Sequence, residues 1–145
     1  MGRHLKKERI DMVKAAKLGK EINVTIANKI GVLADIAKII AEHGINIEAL
    51  AGYAEDKEAK IMLVTEDNLR ATDALVKNKY KSIKENEVLI LELENKPGDL
   101  RNVTAKLSDE DIDIKYIYGT SCSAGCPAKI ILSTSDNEKA LVAFK

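Results

Sequence analysis

The 145-residue sequence predicts an α+β fold built from two copies of one βαββαβ module. Three observations support this prediction. The chain matches itself at a fixed offset, each copy alternates strand-like with helix-like apolar patterns, and the apolar residues are mostly aliphatic. Hydrophobic residues make up 46% of the chain but aromatic residues only 3%. The predicted cores therefore consist of Ile, Leu, Val and Ala side chains.

The internal repeat is found when the sequence is compared with itself at an offset of 67 residues. From Glu21 onward, identical residues then align at seven pairs: Asn28 with Asn95, Lys29 with Lys96, Gly31 with Gly98, Leu33 with Leu100, Ile45 with Ile112, Ile47 with Ile114, and Gly52 with Gly119. After Gly119 the offset grows to 69, in a turn that contains both cysteines. We infer an internal duplication.

The first copy follows a βαββαβ pattern. Ile22, Val24 and Ile26 alternate with polar residues, which predicts a strand with one buried face. A helix is predicted after Asn28–Gly31 and ends at Gly44, which suits the C′ position. Strands follow at 46–54 and 61–64, then a helix capped by Asp67 and a further stretch from Lys81. This order predicts a ferredoxin-like antiparallel sheet with its helices on one face.

The second copy repeats the pattern but ends early. Strands are predicted at 88–94, 112–121 and 128–134, and helices open at Asp99 and Asp136, but the last strand is missing. We therefore predict a basic N-terminal extension at 1–20 that can form an amphipathic helix, a first module at 21–86 and a second at 87–145. An unpaired edge favours aggregation, so we expect residues 1–20 or a partner chain to cover it.

Both faces of each sheet are predicted to be buried. Ile61–Val64 and Ile130–Leu132 are apolar at every position, and Val88 and Ile90 have the opposite parity to Leu89 and Leu91. Such a pattern indicates that the second face packs against another sheet, either between the modules or between chains. We therefore expect a homodimer.

Composition argues against several classes of protein. The 23 basic and 23 acidic residues balance, so no global charge favours nucleic acid or anionic membrane. No apolar run is long enough to span a membrane, and the charged N-terminus does not resemble a secretory signal. Scarce aromatics argue against a base-stacking surface. A cytoplasmic location is predicted, with both cysteines reduced.

No catalytic or metal-binding constellation is predicted. Cys122 and Cys126 are close in sequence, but His4 and His43 are distant from them, which argues against a four-ligand metal site. His43 is interpreted as a helix-end residue, since a cation is favoured there. Phosphate loops, dinucleotide fingerprints, zinc-protease helices and serine elbows are absent from the sequence. We expect no enzyme activity, no cofactor and no metal.

Two segments resemble the ACT family of regulatory domains. Asn95-Lys96-Pro97-Gly98-Asp99-Leu100 precedes a helix and is followed by Ile112-Asp113-Ile114, and Asn28–Leu33 followed by His43–Ile47 repeats the arrangement. The resemblance covers nearly everything from Glu21 onward. It departs where Ile30 replaces the usual proline and Asp111 the usual glycine. The first copy is also similar to the small regulatory subunit of acetolactate synthase, and the whole chain to stand-alone tandem-ACT proteins of prokaryotes.

The resemblance implies that the loop before the first helix and the start of the second strand bind amino acids, at an interface between paired domains. The candidate ligand-binding residues are Asn28, Ile30, Gly31, Val32, Leu33, Asn46, Ile47, Asn95, Pro97, Gly98, Asp99, Leu100, Asp113 and Ile114.

The candidate loops have chemistry that suits an amino acid. A helix N-terminus receives a carboxylate, and a glycine lets the backbone approach a ligand closely. Asn46 and Asp113 are placed to accept from the ammonium group. A purely structural role remains open, because asparagine before such a turn often forms an Asx-turn and the glycine can serve only the turn.

Three functions are consistent with these patterns. The first is a sensor that binds a free amino acid or related metabolite and acts allosterically on a partner enzyme or regulator. The second is a regulatory subunit of an amino-acid biosynthetic enzyme such as acetolactate synthase. The third is a structural or nucleic-acid-associated module that uses the basic residues 1–20.

Overall fold

The computed structural model describes residues 13–121 and 125–145. The strands are β1 Val13–Ala27, β2 Ile47–Glu55, β3 Glu58–Thr65, β4 Ser82–Leu93, β5 Ile114–Thr120 and β6 Ala128–Thr134. The helices are α1 Val32–Glu42, α2 Asn68–Lys77, α3 Asp99–Asp109 and α4 Asn137–Ala143. The α+β prediction with ferredoxin-type βαββαβ repeats is confirmed.

The described chain divides into two units. Module 1 consists of residues 20–86, and module 2 of residues 13–19 together with 87–145. The long strands β1 and β4 each contribute one part to module 1 and the other part to module 2. Module 1 thus keeps its predicted bounds to within one residue, whereas module 2 includes residues 13–19, which the predicted boundaries assigned to the N-terminal extension.

Module 1 has the strand order β2-β3-β1-β4. Strand β3 pairs antiparallel with both neighbours, so Leu63 lies opposite Ile22 on β1 and opposite Leu50 on β2. Alternating apolar residues of these strands pack against α1 and α2. The core consists of Ile22, Val24, Ile36, Ile39, Ile40, Ile45, Ile61, Leu63, Ala71, Ala74, Leu75 and Tyr80.

Module 2 has the strand order β1-β4-β6-β5. Strand β6 pairs antiparallel with β4 and β5, so that Leu132 lies opposite Leu89 and Ile117. Helices α3 and α4 contribute to the core. It consists of Leu89, Leu91, Leu93, Val103, Leu107, Ile112, Ala128, Leu132 and Ala140.

The strand that module 2 lacked in the sequence is supplied by the first part of β1. Val13, Ala16 and Leu18 pack against the module 2 core, and Gly19 lies against Ile90. The helix predicted for 1–20 is therefore wrong for residues 13–20, which form strand, while 1–12 lie outside the described residues. The physical reason is that the open edge of β4 satisfies the backbone N–H and C=O groups of a strand placed beside it.

The second helix of each module begins with the same hydrogen-bonded turn. Thr65 Oγ1 donates to Asn68 Oδ1 at 2.7 Å, and Asn68 Nδ2 donates to the carbonyl of Lys20 at 2.9 Å. In module 2 the Thr134 hydroxyl likewise donates to Asn137 Oδ1, at 2.7 Å. The recurrence fixes α2 and α4 at equivalent positions, and the Asp67 and Asp136 side chains cap them as predicted.

The second face of each sheet is buried at several positions, as predicted. Val64 is 5% exposed, Val88 0%, Ile90 7% and Ile131 0%. The homodimer stays a prediction.

One prediction about cysteine is wrong. Cys126 is disulfide-bonded, whereas two reduced thiols were expected. The neighbouring Gly125 has φ 80, a left-handed conformation that lets the chain reverse direction beside Cys126. Cys122 lies outside the described residues. Over residues 13–121 and 125–145, none of the helices is long and apolar enough to cross a membrane.

Candidate ligand-binding site

The loop before α1 leaves the start of this helix open. Gly31 has φ 90 and ψ 1, and no described side chain caps the helix. The backbone closes the turn, because Val32 N–H donates to the carbonyl of Lys29 at 3.3 Å and Asp35 N–H to that of Gly31 at 2.9 Å. A side-chain atom added at Gly31 would find no described atom within 4 Å. The N-terminus of α1 therefore faces open space.

A cavity of about 410 Å³ lies beside this helix start. Its lining combines the loop, the edge strand β2 and two residues of β3: Asn28, Lys29, Gly31, Val32, Leu33, Leu50, Ala51, Gly52, Tyr53, Ala54, Ala59 and Ile61. Small-molecule sites commonly enclose about 300–1,000 Å³. The cavity, which we call the module 1 cavity, is large enough for an amino acid.

The module 1 cavity is apolar on most sides. Its polar groups are the Asn28 amide, the Lys29 ammonium and the Tyr53 hydroxyl. Within the described part of the chain, Lys29 is the only charged residue that lines it. Helix α1 adds the partial positive charge of its N-terminus. The electrostatic character of the cavity thus favours an anionic group next to an apolar one.

A buried tyrosine holds the first turn of α1 in place. The Tyr80 hydroxyl donates to Asp35 Oδ2 at 2.5 Å, and Tyr80 is 6% exposed. Burial, together with the hydrogen bond to Asp35 and its negative charge, raises the pKa of Tyr80 to about 12. Tyr80 follows α2 directly, so this contact connects the helix start at the cavity to the segment that leads into β4.

The loop before α3 in module 2 has the same backbone but a different side chain after the glycine. Gly98 has φ 91 and ψ −8, close to the values at Gly31. Asp99 replaces Val32, is 4% exposed, and accepts through Oδ2 from the N–H of Lys96 at 2.9 Å. Its Oδ1 is buried without a hydrogen-bond partner in the described structure.

The module 2 loop is also tied to the turn after β5. The Ser121 hydroxyl donates to Asn95 Oδ1 at 2.9 Å, and Asn95 Nδ2 donates to the carbonyl of Cys126 at 3.3 Å. Lys96 Nζ lies 2.8 Å from Glu94 Oε2, and this hydrogen bond and ion pair raise the pKa of Lys96. The side chains of Asn95 and Lys96 are thus engaged with neighbours.

The space beside the edge strand differs between the modules. A Cβ at Gly52 would lie 3.6 Å from the carbonyl oxygen of Lys60 and 3.7 Å from Ile61 Cγ1, which are ordinary contacts. A Cβ at the equivalent Gly119 would lie 2.5 Å from Ile130 Cδ1. The Ile130 side chain therefore fills in module 2 the space next to the glycine that is open in module 1.

The predicted site residues do not all come together within one module. Asn28, Gly31, Val32 and Leu33 line the module 1 cavity, whereas Ile30 is fully exposed outside it. Asn46 and Ile47 lie beyond the other end of α1, whose 11 residues span roughly 16 Å. A single site made of both groups would need a second module or a second copy of the chain.

The same separation holds in module 2. Asp113 and Ile114 line another cavity of about 410 Å³ at the end of α3, with Thr104, Leu107, Ser108, Asp111 and Ile112. The other candidate residues of module 2 lie at the opposite end of that helix, namely Asn95, Pro97, Gly98, Asp99 and Leu100. Asp113 N–H donates to Ser135 Oγ at 3.0 Å, and the carbonyl of Asp113 accepts from Ser135 N–H at 2.9 Å. Both backbone groups of Asp113 are therefore engaged.

Sequence reasoning missed the residues of β2 that line the module 1 cavity. Leu50 and Tyr53, together with Gly52, face it, and Leu50 is 44% exposed. The pattern that could have revealed them is the break in apolar alternation at Leu50–Gly52, where a glycine interrupts an edge strand. Asp35 was also missed, because its partner Tyr80 is 45 residues away in sequence.

Metal binding and histidine chemistry find no support in the described structure. Within residues 13–121 and 125–145, no group of three His, Cys, Asp or Glu side chains could hold a metal ion. His43 Nδ1 lies 2.8 Å from the carbonyl oxygen of Ile39, and the carbonyl of His43 accepts from Arg70 at 2.7 Å. The interpretation of His43 as a helix-end residue is confirmed.

Comparison with known proteins identifies one domain and several similar folds. Residues 20–85 match the ACT domain, and no curated protein matches the sequence. A protein from Bacteroides thetaiotaomicron has a TM-score of 0.81 at 24% identity, over 88% of this chain and 87% of that chain. The regulatory subunit of aspartate kinase from Thermus thermophilus has a TM-score of 0.65 at 14% identity, over 92% and 96%.

A second regulatory subunit of aspartate kinase, from Thermus flavus, has a TM-score of 0.56 at 15% identity, over 92% of this chain and 96% of that chain. At these identities the structural likenesses establish the fold. The match to the ACT family model, over residues 20–85, coincides almost completely with module 1, which contains the cavity beside the start of α1.

Proposed function

We propose that this protein is a non-catalytic regulatory protein that binds a free amino acid or a related metabolite through two ACT-type modules. The observation that carries the proposal is the module 1 cavity, which opens at the uncapped N-terminus of α1. A carboxylate would accept from the free backbone N–H groups of the first turn, favoured by the helix dipole. Asn28 can donate to that carboxylate or accept from an ammonium group.

Module 2 offers a complementary group under the same proposal. The buried Asp99 Oδ1 at the start of α3 could accept from a ligand ammonium. Burying a carboxylate oxygen without a partner is costly, and a bound cation would offset that cost.

A homodimer would complete the site. The two groups of predicted site residues lie at opposite ends of α1 and of α3, so one module cannot place both on a small ligand. Pairing of two copies would bring Asn46 and Ile47, or Asp113 and Ile114, next to a loop of the partner. The apolar lining of such a site would come from Leu33, Leu100, Ile47 and Ile114.

Ligand binding would act on a partner by changing the packing of the paired modules. A ligand shifts a conformational equilibrium only by its difference in affinity for the two states. The contact between Asp35 and Tyr80 links the helix start at the cavity to the segment before β4. A change in the first turn of α1 would therefore reach a strand of the sheet.

A second candidate function is that of a separately encoded regulatory subunit of an amino-acid biosynthetic enzyme. It is favoured by the fold likeness to the regulatory subunit of aspartate kinase from Thermus thermophilus, which covers 96% of that chain. This candidate predicts a stable complex with a large catalytic chain. Affinity purification followed by mass spectrometry distinguishes a sensor that acts alone from such a subunit. The cytoplasmic location stays a prediction.

The proposal is tested by a thermal-shift screen of the full chain against the twenty amino acids and common metabolites. A ligand at a hundred times its dissociation constant adds about 2.7 kcal/mol to the free energy of unfolding, which raises the melting temperature by several degrees. We expect one chemical class to shift the melting temperature, and Gly31→Val to abolish the shift. A panel without any shift would contradict the proposal.

A further inference from the structure

We propose that the module 1 cavity selects a carboxylate ligand with a short aliphatic, uncharged side chain, and that Gly52 sets the largest side chain accepted. This inference rests on the proposed function and specifies the ligand chemistry of its site. The class comprises 2-amino and 2-oxo acids with aliphatic side chains, which share the carboxylate and the apolar group.

The charge of the lining excludes ionised side chains on the ligand. Lys29 is the only charged side chain that lines the cavity in the described chain, and the N-terminus of α1 adds partial positive charge. A lysine or arginine side chain would lie among apolar groups there, beside Lys29 and without a carboxylate partner. A second carboxylate would compete with the first for the same cation. Burying an unpaired charge is strongly unfavourable, so neutral side chains are preferred.

The walls of the cavity match an aliphatic group. Val32 and Leu33 come from the helix, Leu50 from the edge strand, and Ala59 and Ile61 from β3. Apolar area removed from water contributes about 25 cal/mol per Å², without directional requirements. Leu33 is 45% exposed and Leu50 44%, so both still have apolar surface that a ligand can cover.

The position of Gly52 makes it the size-determining residue. Gly52 pairs with Ile61 across β2 and β3, and residues directly opposite in a pair point to the same face. A side chain at position 52 would therefore point beside Ile61, toward the cavity. An added Cβ would make only ordinary contacts with the protein, the nearest at 3.6 Å, so a larger residue occupies ligand space without breaking the strand.

Module 2 provides the internal comparison. Ile130 Cδ1 occupies the space next to Gly119, where an added Cβ would lie only 2.5 Å away. Because the two glycines are equivalent in the repeat, the difference is the position of one isoleucine side chain. In this structure the space next to the edge-strand glycine is therefore open in module 1, and we assign the proposed size selection to that module.

The test is isothermal titration calorimetry of the full chain with valine, leucine, isoleucine, their 2-oxo acids, lysine, aspartate and phenylalanine. We expect an aliphatic ligand to bind at least about tenfold more tightly than lysine or aspartate, which is the scale on which one pocket discriminates. The comparison of each amino acid with its 2-oxo acid identifies which of the two forms is preferred.

Two variants locate the site. Gly52→Val should weaken binding of leucine by about tenfold or more, because added methyl groups take its space. Leu50→Ala should weaken it too, while the matched Ile117→Ala in module 2, at the equivalent edge position and 40% exposed, should leave it unchanged. The melting temperature of each variant without ligand shows whether it folds. If Gly52→Val does not fold, Leu50→Ala still tests the location of the site.

The outcomes separate the two proposals. Tighter binding of lysine or aspartate than of aliphatic ligands would overturn the selectivity while leaving the amino-acid sensor standing. Undiminished binding of leucine to both Gly52→Val and Leu50→Ala would place the ligand elsewhere and overturn the inference. Absence of binding across the whole panel would overturn the inference together with the proposed function.

Discussion

The loops before α1 and α3 share a backbone and differ in their surroundings. Gly31 and Gly98 have φ of 90 and 91, and in each loop the glycine carbonyl accepts from a residue four positions later, at 2.9 and 3.0 Å. In module 1 this turn opens on a cavity. In module 2 the Asp99 side chain folds back on Lys96, and Asn95 is bonded to the turn after β5.

The comparison shows that two separate properties determine a binding site of this kind. The conformation of the loop is set locally by a glycine in the left-handed region. The room beside the loop is set by distant side chains, such as Ile130 next to Gly119. A repeat can therefore preserve the loop conformation in both copies while the side chains around the loop differ.

The largest difference between the modules should follow from removal of the first part of β1. Deleting residues 13–19, with everything before them, removes the outer strand of module 2 together with Val13, Ala16 and Leu18. We expect module 2 to lose about 3 kcal/mol or more of its free energy of unfolding, from lost apolar burial alone. Hydrogen exchange should show lost protection in β6, with β3 of module 1 still protected.

A charge-only variant provides the control for this deletion. Lys14→Gln combined with Lys17→Gln changes two exposed side chains and leaves the strand in place. It should preserve exchange protection in β6. Equal loss of protection in the deletion and in this variant would contradict the assignment of β1 to module 2.

The paired glycines of the edge strands should respond differently to the same substitution. Gly119→Ala places a Cβ 2.5 Å from Ile130 Cδ1, the flexible end of that side chain, and 3.1 Å from the backbone oxygen of Lys129, so we expect overpacking at the low end of its usual cost, about 1 kcal/mol. Gly52→Ala meets only ordinary contacts and should change the free energy of unfolding by less than about 0.5 kcal/mol. Urea denaturation measures both. Similar values for the two variants would contradict the difference in space.

Tyr80 should support module 1 only below the pH at which it ionises. Tyr80→Phe removes the hydrogen bond to Asp35 and should cost about 1.5 kcal/mol at neutral pH. In the folded state the pKa of Tyr80 is raised from 10 to about 12. The protonated hydroxyl therefore contributes its full stabilisation of the fold below pH 10. This contribution is lost as pH rises from 10 to 12.

Urea denaturation of wild type and Tyr80→Phe at pH 8, 10 and 12 checks this dependence. The stability of wild type should fall more steeply above pH 10, so that the difference between the two proteins shrinks or reverses. A constant difference over this range would mean that the Tyr80 hydroxyl is not linked to folding.

The helix caps should show the smallest effects, and these should be equal in the two modules. Asp67 accepts from Arg70 N–H at 3.1 Å, and Asp136 from Lys139 N–H at 3.0 Å. Asp67→Ala and Asp136→Ala should each cost about 1 kcal/mol, the usual value for a side-chain cap. Thermal denaturation checks this. Unequal costs would show that the second helices are not equivalent.

The sequence predicted those features that depend on local patterns. The left-handed Gly44 after α1, with φ 68, and the caps Asp67 and Asp136 follow from residue type and from position relative to a helix. The repeat gave the cap prediction twice, once in each copy. Local conformational preference and long-range packing agree at these positions.

The features that the sequence did not predict depend on contacts between segments that are distant along the chain. Residues 13–20 have apolar residues at spacings compatible with a helix, but the open edge of β4 makes them strand. The bond between Tyr80 and Asp35, and the filling of module 2 by Ile130, are set by tertiary packing. No periodicity in the sequence encodes such contacts.

The central claim is that module 1 contains the open ligand site. Titration of ¹⁵N-labelled full-length protein with leucine, followed by amide chemical shifts, tests it most directly. We expect the largest shifts at Gly31–Leu33 and Leu50–Ala54, with the equivalent amides of Gly98–Leu100 and Ile117–Ser121 changing little. Shifts confined to the module 2 segments, or equal in both modules, would contradict the claim.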